Sequence, residues 1–205
     1  MIRFLAFDLG DCLFRVDHGQ AWEATAARSP LDWETLYARF YRSGAMIESL
    51  TGTISDDAFF AQLRDELEFA GRAAELRWIW TDIFSPLDAR HQLVAQLAEQ
   101  YAVGALSNLS RFHRDHLEAH FPLFRRFERK TYSWETGFMK PRPEIFAQCL
   151  VGTDFAPEEC LFIDDQERHC QAAVALGWQT LHVGPDDDLA AGLKSLLEPP
   201  TQAIS

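Results

Sequence analysis

Basic residues are scarce in this chain: 19 Lys and Arg face 31 Asp and Glu, a formal net charge of −12. That shortage argues against nucleic acid or an anionic membrane as partner, because both select basic surfaces. Long apolar runs are missing too. No stretch reaches the ~18 residues of a membrane span. The opening segment, MIRFLAFDLG, has too short an apolar run for a signal peptide and leads into acids. A cytoplasmic location is therefore expected. Cysteine is sparse, with four residues at 12, 149, 160 and 170 and no CxxC or Cys/His zinc spacing. These read as reduced thiols, buried as small hydrophobes. Internal repeats and low-complexity tracts are absent. What remains is a 205-residue chain, 47% hydrophobic and 24% charged, long enough for one core-bearing domain plus a modest insertion.

Arg3 to Phe7 (RFLAF) is a short apolar run that ends at Asp8, the pattern of a buried strand. Similar runs follow at Tyr101–Leu106, Cys160–Ile163 and Gln179–Val183. Helical patterns separate them: His91–Gln100, Arg111–His120, Pro143–Leu150 and Gln166–Leu176, the last stopped by Gly177. Strands alternating with helices predict an α/β fold, a Rossmann-like parallel sheet with helices on both faces. Residues 18–85 show no strand. Trp33–Tyr41 and Ser55–Leu67 carry apolar residues at helical spacing, with Ser55 as N-cap and Asp56 and Asp57 in the first turn. Trp22, Trp33, Trp78 and Trp80 are expected to pack this block. A small helical cap over 18–85 therefore interrupts a core made of 1–17 and 86–205. The tail after Leu197 is expected to fray.

In open parallel sheets, ligands bind beyond the carboxyl ends of the strands. Asp8, Gly10 and Asp11 follow the first strand, Ser107 and Asn108 the second, Asp164 and Asp165 the third. Lys140 lies in GFMKPRPEIF, just before a helix that opens at Pro143. Carboxylates from different strands can hold a hard divalent cation, and octahedral oxygen ligation selects Mg²⁺. One carboxylate can also attack phosphorus. A hydroxyl, backbone N–H groups and an ammonium can then bind the phosphoryl oxygens, where charge gathers in the transition state. The expected partner is a small phosphorylated metabolite.

Four segments, in order, resemble the haloacid dehalogenase (HAD) superfamily of hydrolases: FDLGDCL, LSNLS, the lysine of MKPRPEIF, and FIDD. The resemblance covers nearly the whole chain and implies a Rossmann-like core with a cap inserted after the first strand. LTGTISDDAFFAQL is similar to the cap of a bacterial subgroup whose first motif reads FDLGNV. That subgroup includes a phosphatase of α-glucose-1-phosphate. By position, the resemblance implies Asp8 as nucleophile, with the Gly10 carbonyl and Asp165 as metal ligands beside it. Asp164 would stand next to the metal, and Ser107, Asn108 and Lys140 would bind phosphate. Lys140 would also pair with Asp8.

Three residues depart from the usual pattern. Gly10 stands where family phosphatases carry a second Asp as acid and base, a glycine that the FDLGNV subgroup shares. Cys12 replaces Thr or Val. His169 replaces Asp or Asn, and is expected at the surface or behind the metal ligands. Asp11 is one residue beyond Gly10, and in extended backbone it would face away from the leaving oxygen. Two other activities fit parts of this pattern. A dehalogenase needs neither acid nor metal, but the Asp164-Asp165 doublet without a cation would weaken the nucleophile. A phosphate-binding module without turnover is the other. Arg15, Arg39, Arg42 and Trp22 are possible cap contacts to substrate, with surface solvation and core packing the expected alternatives. Oligomeric state is not legible.

Overall fold

The structure, a computed structural model, describes residues 1–197. The tail for which fraying is expected lies outside the described residues. In chain order the elements are β1 (Phe4–Phe7), β2 (Phe14–Val16), α1 (His18–Ala26), α2 (Trp33–Arg42), α3 (Ala45–Leu50), α4 (Asp56–Glu66), α5 (Ala73–Thr81) and β3 (Phe84–Pro86). They continue as α6 (Asp88–Leu97), β4 (Ala102–Ser107), α7 (Arg111–His120), β5 (Arg129–Tyr132), α8 (Ser133–Thr136), α9 (Pro143–Leu150), β6 (Cys160–Asp164), α10 (Glu167–Ala175), β7 (Gln179–His182) and α11 (Leu189–Leu197).

Five parallel strands form one sheet in the order β5-β4-β1-β6-β7. Alternate residues of each strand face opposite sides. Leu5, Phe7, Val103, Ala105, Leu161 and Ile163 enter one apolar cluster, and Phe4, Ala6, Leu106, Cys160 and Phe162 enter the other. Both faces are therefore covered, as parallel sheets require. All four cysteines are buried and unpaired.

The four strands read from the sequence are present, and the structure adds a fifth. β5 (RKTY) is an edge strand with its first two residues only half-buried. It lacks an apolar run, and its pairing with β4 alone identifies it. The reading of 18–85 as free of strand is corrected at its end. β2 and β3 pair antiparallel, with Val16 opposite Phe84 and Phe14 opposite Pro86. Strands this short carry no periodic signal. They lie where the chain leaves the sheet and returns to it, and Asp17 N donates to Ile83 O at 2.8 Å. The limits of the expected helices agree closely, except that α6 begins three residues before His91 and ends three before Gln100.

Helices α1–α5 enclose their own apolar cluster, built on Trp22, Leu36, Phe40, Phe60, Leu63 and Trp80. Ser55 caps α4 by accepting from Ala58 N at 3.2 Å, and Asp32 caps α2 by accepting from Thr35 N at 2.8 Å. Phe112, at the start of α7, joins this cluster, stacking on Phe59 at a ring distance of 5.9 Å and meeting Phe60 edge-on at 4.8 Å. No helix among the described residues is long and apolar enough to cross a membrane.

Candidate active site

The carboxyl ends of β1, β4 and β6 converge on one point. Asp8 follows β1 directly, and its backbone N–H donates to Ile163 O at 2.8 Å. Ser107 ends β4 and Asp164 ends β6. Lys140 reaches them from the segment before α9. Its Nζ lies 2.6 Å from Asp164 Oδ2 and 2.9 Å from Asp8 Oδ1, with both the Lys140 and Asp164 side chains fully excluded from solvent.

Burial alone would discharge such groups, so the pairing decides their charge. For Asp164, burial is the largest effect and raises its pKa. The Lys140 charge and the hydrogen bonds from His169 and Lys140 outweigh it and hold Asp164 at about 2. Lys140 is likewise opposed by burial, yet the Asp8 and Asp164 charges raise its pKa. Asp8 is pushed up, first by burial, with Lys140 opposing and Asp164 adding. Asp165, half-buried, is pushed up to about 7 by desolvation and then by the charges of Asp8 and Asp164.

Oxygens of Asp8, Asp164 and Asp165 lie within 4.8 Å of one another. Oδ1 of Asp8 is buried and accepts no hydrogen bond; its approach to Lys140 meets an ion-pair distance without hydrogen-bond alignment. An all-oxygen donor set with a buried, unfilled acceptor and crowded negative charge fits a hard divalent cation. Asp8 and Asp165 are placed to hold it. Asp164 is already engaged: Oδ1 accepts from Gln166 N at 2.7 Å and from His169 Nδ1 at 3.0 Å.

Asp8, Gly10, Ser107, Asn108, Lys140 and Asp165 line a single cavity of about 320 Å³. Asp164 stands behind that wall. Asn108 has a task the sequence did not show: its Nδ2 donates to Lys140 O at 3.0 Å and its Oδ1 accepts from Lys140 N at 2.7 Å. Its amide thereby clamps the backbone that carries the buried ammonium. His169 is not at the surface but buried against Asp164, in the wall of the same cavity. Asp11 is also corrected. Its φ of +48° is left-handed, so the extended-strand argument fails and its side chain lines the cavity. Its Oδ1 accepts from Val16 N at 3.2 Å.

The cavity's other wall comes from the helical block, through Trp22, Phe40, Tyr41 and Trp80. Trp22 thus packs the block and faces the cavity. Arg15 pairs with Asp186 and Arg39 with Glu68, both away from the cavity lining. His18 and His113 also line it. Neither stands in a motif, and only the folding back of the helical block brings them there.

Comparison with known proteins agrees with this geometry. A family model described as haloacid dehalogenase-like hydrolase matches residues 2–177. A D-ribitol-5-phosphate phosphatase of Bacteroides thetaiotaomicron is 27% identical over 187 residues, covering 88% of this chain and 91% of the relative. A HAD family enzyme from the same organism has a crystal structure with a TM-score of 0.86 and 25% identity, covering 93% of this chain and 97% of that one. Its complex with magnesium and inorganic phosphate gives a TM-score of 0.83 at 25% identity, covering 93% and 98%.

Proposed function

The chain belongs to the haloacid dehalogenase-like hydrolases, and from that premise we propose that it is a Mg²⁺-dependent phosphatase of a small phosphomonoester of the sugar-phosphate class. The observation that carries this reading is the buried Lys140 shared by Asp8 and Asp164, with Asp165 beside them. The relative's action on D-ribitol 5-phosphate and the magnesium and phosphate bound by the structural neighbour support it.

Asp8 is the proposed nucleophile. One carboxylate oxygen attacks phosphorus, the bond from phosphorus to the ester oxygen breaks, and that oxygen departs with the bonding pair and takes a proton from water, as an aspartyl-phosphate forms. Water then cleaves the acyl-phosphate and restores Asp8. Lys140, in contact with Asp8, binds the phosphoryl oxygens together with the Ser107 hydroxyl, while Asn108 holds the Lys140 backbone in place. Asp8, the Gly10 carbonyl and Asp165 would hold Mg²⁺, with Asp164 acting through water and orienting Lys140. Bound Mg²⁺ supplies Lewis-acid charge neutralisation of the phosphoryl group. The roles follow a division into a core (1–17 and 86–205) and a cap (18–85) that selects substrate. The glycine at position 10 supports a kinship with the FDLGNV-type subgroup.

A dehalogenase reading is disfavoured by the acidic doublet. Burial and then the Asp164 charge raise the Asp8 pKa, and a cation held by the acidic doublet would relieve that; carbon–halogen cleavage needs no such doublet. The test is a screen of phosphomonoesters with Mg²⁺ and with excess EDTA. Phosphate release that EDTA abolishes supports the proposal. Absence of release from every ester leaves a binding module without turnover.

A further inference from the structure

We infer that the leaving group is an uncharged alcohol with an apolar face, such as a pyranosyl or aryl ring, and that the site rejects esters bearing a second anionic group. The inference rests on the phosphatase reading above and concerns which half of the substrate the cavity accepts.

The cavity is chemically two-sided. Its core wall carries Asp8, Asp165, Ser107 and Lys140. The wall from the helical block is Trp22, Phe40, Tyr41, Met46, Leu50 and Trp80. Val16, Ile83 and Phe84 close the space between them. Among the described residues that line it, Lys140 is the sole lysine or arginine, and both of its contacts are the carboxylates beneath the phosphoryl site. Three histidines complete the lining, His18, His113 and His169. His169 is held on the core side, 3.0 Å from Asp164 Oδ1. Burial lowers the pKa of His18 and His113 and so disfavours a positive charge on either. Asp11 adds negative charge on the same side.

A second phosphate or a carboxylate entering this space would lose its hydration against aromatic carbon, with no cation to meet it and with Asp11 nearby. Unpaired charge in such surroundings is strongly disfavoured. An uncharged ring gains instead, because its carbon face packs on fixed aromatic surface. That surface is rigid: Trp22 is wedged edge-on between Phe40 at 4.8 Å and Trp80 at 4.9 Å, and Phe40 stacks on Trp80 at 5.0 Å. Tyr41, 59% exposed, continues the aromatic wall to solvent. A volume of about 320 Å³ suits one ring with its phosphoryl group. Gly10 points the same way independently. With no acid at that position, a leaving oxygen stabilised by an aryl ring or an anomeric carbon is the one that departs readily.

The test compares phenyl phosphate with 4-carboxyphenyl phosphate, which share an aryl leaving oxygen and differ in charge, with 4-carbamoylphenyl phosphate as the uncharged control of the same size as the carboxylated ester. Wild type should favour phenyl phosphate in kcat/KM by at least ~10-fold. Tyr41→Lys and Met46→Lys, each adding a cation to the apolar wall, should narrow or reverse that ratio. Tyr41→Ser should raise KM for phenyl phosphate with kcat kept. Phosphate release at equal or higher kcat/KM from the carboxylated ester in wild type would overturn the inference while leaving a phosphatase. So would an unchanged ratio in both lysine variants. Release from neither ester, nor from any other, would instead overturn the phosphatase reading.

Discussion

Nε2 of His113 lies 2.7 Å from the carbonyl oxygen of Trp80, joining the first turn of α7, on the sheet side, to the last turn of α5 in the helical block. The carbonyl can only accept, so Nε2 carries the proton. His113 is buried against Phe112 and Phe84, with ring distances of 4.1 and 5.0 Å. Burial lowers its pKa to about 4, with the Trp80 hydrogen bond opposing.

This contact predicts acid sensitivity. The unfolded chain binds a proton at His113 near the ordinary histidine value of 6.5, and the folded chain only near 4. The contribution is therefore fully present above the unfolded pKa and is lost as pH falls from about 6.5 to 4. Its full size is about 3 kcal/mol. Urea unfolding at pH 7 and pH 4.5 should show a smaller pH dependence in His113→Gln, which has no titrating ring. Identical pH dependence in the two proteins would remove His113 from this account.

Asp8→Asn keeps the shape of the nucleophile and removes its charge. Phosphate release should fall by ~10³-fold or more, with the unfolding transition retained. Mass analysis after acid quench should place a phosphoryl adduct on Asp8 in wild type and none in the variant. Near wild-type turnover in Asp8→Asn would defeat the proposed attack.

The two neighbouring acids should separate cleanly. Asp165 is half-exposed and repelled by Asp8 and Asp164. Asp165→Asn should therefore raise the metal-free Tm at pH 8, abolish activity and cancel the rise in Tm on adding Mg²⁺. Asp164 is a buried partner of Lys140, so Asp164→Ala should cost ~3–5 kcal/mol of stability. Calorimetry with and without Mg²⁺ reads both. A wild-type Mg²⁺ shift in Asp165→Asn would take that residue out of the proposed metal set.

Gly10 predicts a steep dependence on leaving-group basicity. At saturation, aryl and sugar-1-phosphates should exceed sugar-6-phosphates in kcat by ~10²–10⁴. Gly10→Asp should flatten the series by supplying the proton. A Cβ at Gly10 would meet Val16 Cγ2 at 3.2 Å, so Gly10→Asp with Val16→Ala is the better-tolerated form. Equal kcat for alkyl and aryl esters in wild type would mean that another group delivers the proton. Asp11, which the fold turns into the cavity, is then examined by Asp11→Asn.

Much of the site is readable in the chain because its residues are tied to strand ends. Asp8, Ser107, Asp164 and Asp165 each close or follow a strand, and a parallel sheet brings such positions to one edge whatever the loops do. Lys140 is marked by its place before the Pro143 helix start. β5 escaped notice because an edge strand needs no apolar run, and β2 and β3 because three-residue strands have no period to detect.

Local pattern alone determined the α/β alternation, the separate helical block and the identity of the charged residues at the sheet edge, since these depend on short-range periodicity and on chain order. Tertiary structure alone decided the rest. It put Lys140 between Asp8 and Asp164, turned Asn108 onto the Lys140 backbone and buried His169 against Asp164. It brought Asp11 to the cavity through a left-handed φ, and set Trp22 and Tyr41 in the cavity wall. Those contacts join residues far apart in the chain, or depend on one backbone angle. No local propensity encodes either; they exist only once the sheet and the helical block close on each other.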